Sequence, residues 1–163
     1  MQDGTEDGDR EVVIEVRGLR NQFGDHVVHE GLDLDVYRGE ILGVVGGSGT
    51  GKSVLLRTIA GLIEPVAGTV RVLGTDVLDA GSEERSRLEA RWGVMFQDGA
   101  LFSSLTVREN VEVPMKVVED LDPAITRTLA GLKITMAGLP PTAEGKYPSE
   151  LSGGMRKRAG LAR

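Results

Sequence analysis

The stretch "GGSGTGKS", residues 46–53, decides how this chain is read. It fits the pattern G-x-x-x-x-G-K-[ST] through Gly46, Gly51, Lys52 and Ser53. Before it, "RGEILGVV" (38–45) ends in the apolar run Ile41–Val45, the pattern of a fully buried strand. After it, "GKSVLLRTIAGL" (51–62) reads as a helix closed near Gly61. Strand, glycine loop and helix is the order a phosphate-binding loop needs. Gly46, Gly47, Gly49 and Gly51, with Ser48 and Thr50 between them, let successive N–H groups turn inward on an anion. The helix that follows adds its positive end. Lys52 is a point charge for β- and γ-phosphates, and the Ser53 hydroxyl is a ligand for Mg2+. A dinucleotide fingerprint is excluded by spacing, because after Gly47-Ser48-Gly49 the third-glycine position holds Lys52.

Outward from the loop, the chain changes character once. "EVVIEVRGL" (11–19) predicts a strand ending at Gly18. "HVVHEGLDLDV" (26–36) alternates and predicts half-exposed antiparallel strands. "AGTVRVLG" (67–74) is a further strand, "SEERSRLEARW" (82–92) a helix, and "GVMFQ" (93–97) a return to strand. Helices follow. Thr106 and Glu109 form a capping box, and Pro114 is expected to kink or end the helix they open. Asp122-Pro123 starts the next helix, Gly138 closes it, and Pro140-Pro141 forbids its continuation. Ser152 caps a last helix. The expected organisation is an acidic disordered tail (1–10), a β/α core with the phosphate loop (11–97), a helical subdomain (98–150) and a closing motif with its helix (151–163).

Bulk composition bounds the rest. The chain has 163 residues, 27% charged and 40% hydrophobic, enough for a packed core. A net charge of −6 argues against nucleic acid as a partner, since phosphate contacts need a basic face. Five acids fall within "MQDGTEDGDRE" (1–11), a solvated tail. There is no cysteine, so disulfide and thiolate chemistry is excluded. No apolar run approaches the ~18 residues of a membrane span, so a membrane role would be peripheral. His26 and His29 lack partners at metal-ligand spacing and read as surface strand positions.

One further motif names a family. Leu151-Ser152-Gly153-Gly154, with Arg158 and Leu161-Ala162-Arg163 behind it, joins Gly46–Ser53 and Phe96-Gln97 in an order and spacing that resemble the ATP-binding subunits of ABC transporters over residues 11–163. The resemblance implies a P-loop NTPase (RecA-like) α/β core with an N-terminal antiparallel β-subdomain and an inserted α-helical subdomain, binding ATP and Mg2+. It implies that Phe23, 29 residues before Lys52, stacks on adenine. Gln97 would contact Mg2+ or the attacking water and sense a membrane permease through the loop after it. Ser152, Gly153 and Gly154 would close over the γ-phosphate of a nucleotide held by a second nucleotide-binding subunit. "FQDGALFSSLTVRENVEVP" (96–114) and "GGSGTGKSVLLR" (46–57) resemble the Mla/Mce-type ATPases, which implies phospholipid or other hydrophobic-substrate traffic across a bacterial envelope. MCE-type substrate-binding and STAS-type accessory proteins would be partners, and the cytoplasmic face of the inner membrane the location.

The same resemblance places a Walker B aspartate, a catalytic glutamate, a D-loop and a switch histidine beyond Arg163. The chain is therefore expected to be partial, to lack the group that polarises the attacking water, and not to turn ATP over alone. The missing strand would leave Ile41–Val45 along an unpaired edge. A nucleotide-binding module without hydrolysis is the competing reading. A non-transport ABC protein is disfavoured by the acidity and by "YPSELSGG" (147–154).

Overall fold

The computed structural model describes residues 10–97, 99–118 and 121–163, with the backbone alone for Val117 and Val118. The acidic tail expected over 1–10 lies, except for Arg10, outside these residues. The chain divides into two compact units, the first ending at Gly93 and the second beginning at Val94.

In the first unit, β1 (Val12–Phe23), β2 (His26–Tyr37), β3 (Ala67–Val72) and β4 (Thr75–Asp76) form an antiparallel sheet in the order β2-β1-β3-β4. One face carries Val16, Leu19, Val70 and Val72 into a core completed by Leu55 of α1 (Lys52–Ile59) and Leu88 of α2 (Ser82–Glu89). Burying each such side chain contributes about 1.5–3 kcal/mol, which holds both short helices to the sheet. β1 does not end at Gly18 as the sequence suggests. Gly18 takes φ +57 where the register slips against both neighbouring strands, and its N–H donates to Asp33 Oδ1 at 2.6 Å. The glycine makes a bulge, and the strand continues to Phe23.

Two further strands expected from the sequence are not strands here. Residues 41–45 have no ladder, with Ile41 99% and Val45 92% exposed. Residues 93–97 are likewise irregular, and Val94, Met95 and Phe96 are exposed. An apolar run becomes a strand only when a neighbour completes its hydrogen bonds. Among the described residues no strand runs beside either segment.

The second unit packs α3 (Val107–Val118), α4 (Pro123–Met136) and α5 (Gly153–Ala162) around Val107, Val111, Ala130, Ile134, Leu151 and Ala159. The caps are those the sequence announces. Glu109 accepts from the Thr106 N–H at 2.7 Å while the Thr106 hydroxyl accepts from the Glu109 N–H at 3.3 Å. Asp122 accepts from the Ala124 N–H at 2.8 Å, and Gly138 turns the chain at φ +74. Pro114 departs from expectation: α3 runs through it to Val118. An interior proline costs about 3 kcal/mol. Val107 and Val111 before it and Met115 after it are all buried, and at about 1.5–3 kcal/mol each they outweigh that cost.

Before α3, the side chain of Asn110, fully buried, pins the loop over it. Its amide donates to the Phe102 carbonyl at 3.1 Å and the Leu105 carbonyl at 3.0 Å, and its oxygen accepts from the Phe102 N–H at 2.7 Å. The turn at Gly99 rests directly on α5. A Cβ on Gly160 would lie 2.6 Å from Gly99 Cα, and one on Gly99 would lie 2.7 Å from the Arg156 carbonyl oxygen. Arg163 fastens the same segment, donating to the Ala100 carbonyl and standing 5.0 Å over the Phe102 ring.

These contacts reverse the usual effect of a helical glycine. Replacing Gly by Ala in a helix ordinarily gains about 0.5–1 kcal/mol. Gly154→Ala, with open space around it, is expected to show that gain in urea denaturation. Gly160→Ala is expected to lose about 1–3 kcal/mol by backbone overpacking. Equal shifts for the two variants would refute the close approach at Gly99.

Candidate nucleotide-binding site

The phosphate loop lies between an unpaired extended segment and α1. Gly51 precedes the first helical residue in the left-handed conformation, φ +87, and no side chain caps the helix. The first N–H groups of α1 therefore point into the loop, with the positive end of the helix behind them. Gly49 also takes a left-handed φ, +82. The cradle has no room for side chains at two of its glycines. A Cβ on Gly46 would lie 2.9 Å from Thr50 Oγ1, and one on Gly51 would lie 2.6 Å from both His29 Nε2 and Val28 Cγ1. Thr50 Oγ1 donates to the Gly47 carbonyl at 3.0 Å and closes the turn. The Lys52 ammonium sits over this turn, donating to the carbonyls of Gly46, at 2.8 Å, and Gly47, and to Thr50 Oγ1 at 3.2 Å. Gly47 and Ser48 are exposed at the rim.

The loop opens onto a hollow walled by Phe23, His26 and Val28 on the strand side and by residues 49–54 on the other. The structure thus brings Phe23, Lys52 and Ser53 to one place. Phe23 is 50% exposed; it lines the hollow and is not a core residue. An ATP-shaped ligand fits this set: a glycine cradle and an ammonium for phosphates at one end, an aromatic face at the other. For Mg2+ the hollow supplies the Ser53 hydroxyl. Among the described residues, no group of three His, Cys, Asp or Glu side chains stands together to hold a metal.

His29 corrects the sequence reading. It is not a surface position; it is 9% exposed and lies under Gly51. The Asn21 amide donates to His29 Nδ1 at 3.1 Å and to Thr58 Oγ1 at 3.2 Å, and Thr58 Oγ1 donates to the Val54 carbonyl at 2.9 Å. All three side chains are buried. This chain of bonds joins β1, β2 and α1 directly beneath the phosphate loop. No sequence signal could have found it. Leu32 and Leu34 set the inward phase of β2, which would turn residue 29 outward. The register slips between the pairs Leu19–Leu32 and Asn21–His29, and the slip brings His29 onto the buried face. A second slip, between Asn21–His29 and Gln22–Val27, frees Val28 to face the loop.

The remaining expected site residues belong to the second unit. Gln97 stands in an exposed turn two residues before Gly99. Ser152 is the N-cap of α5, its hydroxyl accepting from the Met155 N–H at 3.2 Å. Gly153 and Gly154 form the first turn of α5 and are exposed.

Comparison with known proteins follows the same outline. The model of the ABC transporter family matches residues 29–163. A protein of Mycobacterium leprae named "Probable ribonucleotide transport ATP-binding protein mkl" is 41% identical over 152 residues, which cover 93% of this chain and 44% of that protein. The "Intermembrane phospholipid transport system ATP-binding protein MlaF" of Haemophilus influenzae is 37% identical over 151 residues, covering 93% of this chain and 57% of the relative. The chain spans about half the length of these curated relatives. Among solved structures, the ATP-binding cassette MJ0796, a dimer in a post-hydrolysis state bound to ADP and Pi, superposes with a TM-score of 0.82. The two are 27% identical, and the match covers 91% of this chain and 67% of that one.

Burial pushes the His29 imidazole below its ordinary value of 6.5. The unfolded chain then binds more protons than the folded one below about pH 6.5, so stability is intact above that pH and declines as pH falls through it. Glu11, held low by its hydrogen bond to Arg38, and Glu109, held low by the Thr106 N–H and hydroxyl, lose their contributions only below their ordinary 4.5. Denaturation measured between pH 7.5 and 5.5 therefore isolates His29. The natural chain is expected to lose more stability over this interval than His29→Gln, and identical slopes would refute the buried neutral ring.

Proposed function

The chain belongs to the ABC transporter family, and from that premise we propose that it is the ATP-binding part of an energising subunit of a membrane transporter. The observation that carries this reading is the loop itself: glycines that exclude any side chain, an uncapped helix start, and Lys52 standing over them. In this reading the backbone N–H groups of residues 46–51 hold the phosphates, Lys52 balances the β and γ charges, and Ser53 ligates Mg2+. Phe23 takes the base. Gln97 contacts Mg2+ or the attacking water, and the loop after it meets a transmembrane permease.

Ser152, Gly153 and Gly154 would present the start of α5 to the γ-phosphate bound by a second copy. A structural relative described as a dimer supports that pairing. ATP would then close two subunits on each other, and hydrolysis in the whole protein would release them. Among the described residues no carboxylate lines the hollow around Lys52, and the chain is proposed to bind ATP without cleaving it.

The cargo is proposed to be phospholipid or another hydrophobic substrate of a bacterial envelope. The likeness to MlaF, named for intermembrane phospholipid transport, supports this. A second reading, ribonucleotide transport, is favoured by the name of the more identical mycobacterial relative. The permease would hold the subunit at the cytoplasmic face of the inner membrane, with MCE-type and STAS-type proteins in the same assembly. Among the described residues no helix is long and apolar enough to cross a membrane.

Lys52→Ala is expected to weaken ATP binding by about tenfold to a hundredfold in calorimetric titration, the worth of one charge-assisted contact. ATP affinity independent of Lys52 would sink the nucleotide reading. Phosphate release assayed beside the same variant is expected to show no Lys52-dependent turnover for this chain.

A further inference from the structure

The hairpin that carries Phe23 carries a second ring. β1 and β2 are joined by the short turn Gly24–Asp25, with Gly24 at φ +56, and Phe23 and His26 are direct register partners across it. Partners opposite each other in an antiparallel pair project from the same face, with Cβ atoms about 4.5–5.5 Å apart. Both side chains wall the hollow whose far end is formed by Lys52 and Ser53. The His26 ring is exposed and has no hydrogen-bond or ion-pair partner among the described residues. It is exposed, unlike the buried His29 on the same strand.

We propose that His26 is a specificity-determining contact for the base and ribose end of the nucleotide, forming with Phe23 a two-ring wall. This rests on the nucleotide reading of the site. The phosphate end is already served by backbone N–H groups and an ammonium, which grip any polyphosphate alike. Selection for a nucleoside must come from the other end. Phe23 offers only a face, which every base can stack on. An imidazole beside it adds a second planar surface and a ring N–H or lone pair that can reach a base edge or a ribose hydroxyl. His26 therefore converts a general stacking surface into one that can discriminate.

Calorimetric titration of the full chain with ATP, ADP and inorganic tripolyphosphate tests the assignment. His26→Ala is expected to weaken ATP and ADP by the same factor, about fivefold to thirtyfold, as for loss of one base contact. Tripolyphosphate affinity is expected to stay unchanged. His26→Tyr, which keeps a ring and a polar edge, is expected to recover most of the loss. An ATP affinity within twofold of the natural chain in His26→Ala overturns the proposal, as does equal weakening of ATP and tripolyphosphate, which a merely structural role would produce. Lys52→Ala serves as the separate control and is expected to weaken all three ligands. If it weakens none, the nucleotide reading fails first and this inference with it. Should His26→Ala melt early, the ring proton resonances of His26 in the natural chain decide: a shift with ATP and none with tripolyphosphate supports the contact, and no shift with ATP overturns it.

Discussion

The first unit depends on a small polar junction buried where apolar packing would be expected. Asn21, His29 and Thr58 lie between the sheet and α1, and every bond among them crosses from one element to another. Buried polar groups are costly unless satisfied, and once satisfied they fix geometry more narrowly than apolar contacts do. Here the geometry fixed is the start of α1. Thr58 ties the last turn of that helix to β1, and His29 fills the space under Gly51 at its first turn. The helix is gripped at both ends, so the N–H groups expected to face an anion are held in place by the fold itself. A leucine at residue 29 would fill the same volume and leave the Asn21 amide without one of its acceptors.

The second unit uses a different device for the same purpose. Asn110 holds the loop 102–105 by backbone groups alone, and Gly160 lets the turn after Gln97 come down onto α5 with no side chain between them. A movement of that turn and a movement of α5 cannot then be independent. Two glycines in backbone contact leave no compressible layer to absorb a displacement. The turn at Gly99, two residues after the residue expected to meet a metal or water, thus rests on the helix expected to meet a neighbour's phosphate.

What could be read from the sequence was what depends on residues close together along the chain. The phosphate loop, the capping box at Thr106, the Asp122-Pro123 start, the Gly138 stop and the Ser152 cap are each decided within four or five residues, and each stands where the pattern puts it. The failures share the opposite character. β1 passes through Gly18 because Asp33, on another strand, accepts its N–H. α3 passes through Pro114 because Met115 has a core to enter. Ile41–Val45 and Val94–Phe96 have the composition of buried strands, but a strand is a property of a pair. His29 was misplaced by a one-residue slip of register that no alternation pattern can reveal. In the site, the residues expected to grip phosphate were legible because their chemistry is local; the residues packed beneath them were not, because they come from a neighbouring strand.

The glycines themselves separate the two expected anion sites. Gly46 and Gly51 are glycines for reasons inside the chain, since any side chain there would strike Thr50, His29 or Val28. Gly153 and Gly154 have no such reason. A Cβ on Gly153 would meet only the Arg156 guanidinium, at 3.9 Å, and one on Gly154 would meet nothing within 4 Å. Each is a poorer helix former than alanine, and among the described residues no close contact requires its bareness. A pair of glycines that weakens its own helix and touches nothing is explained if the surface that needs their bareness comes from outside. The proposed closure of Ser152–Gly154 over a nucleotide held by a second copy supplies that surface. It would also account for the asymmetry between the two places: the glycines of the phosphate loop are constrained by their own unit, and those at the start of α5 are open.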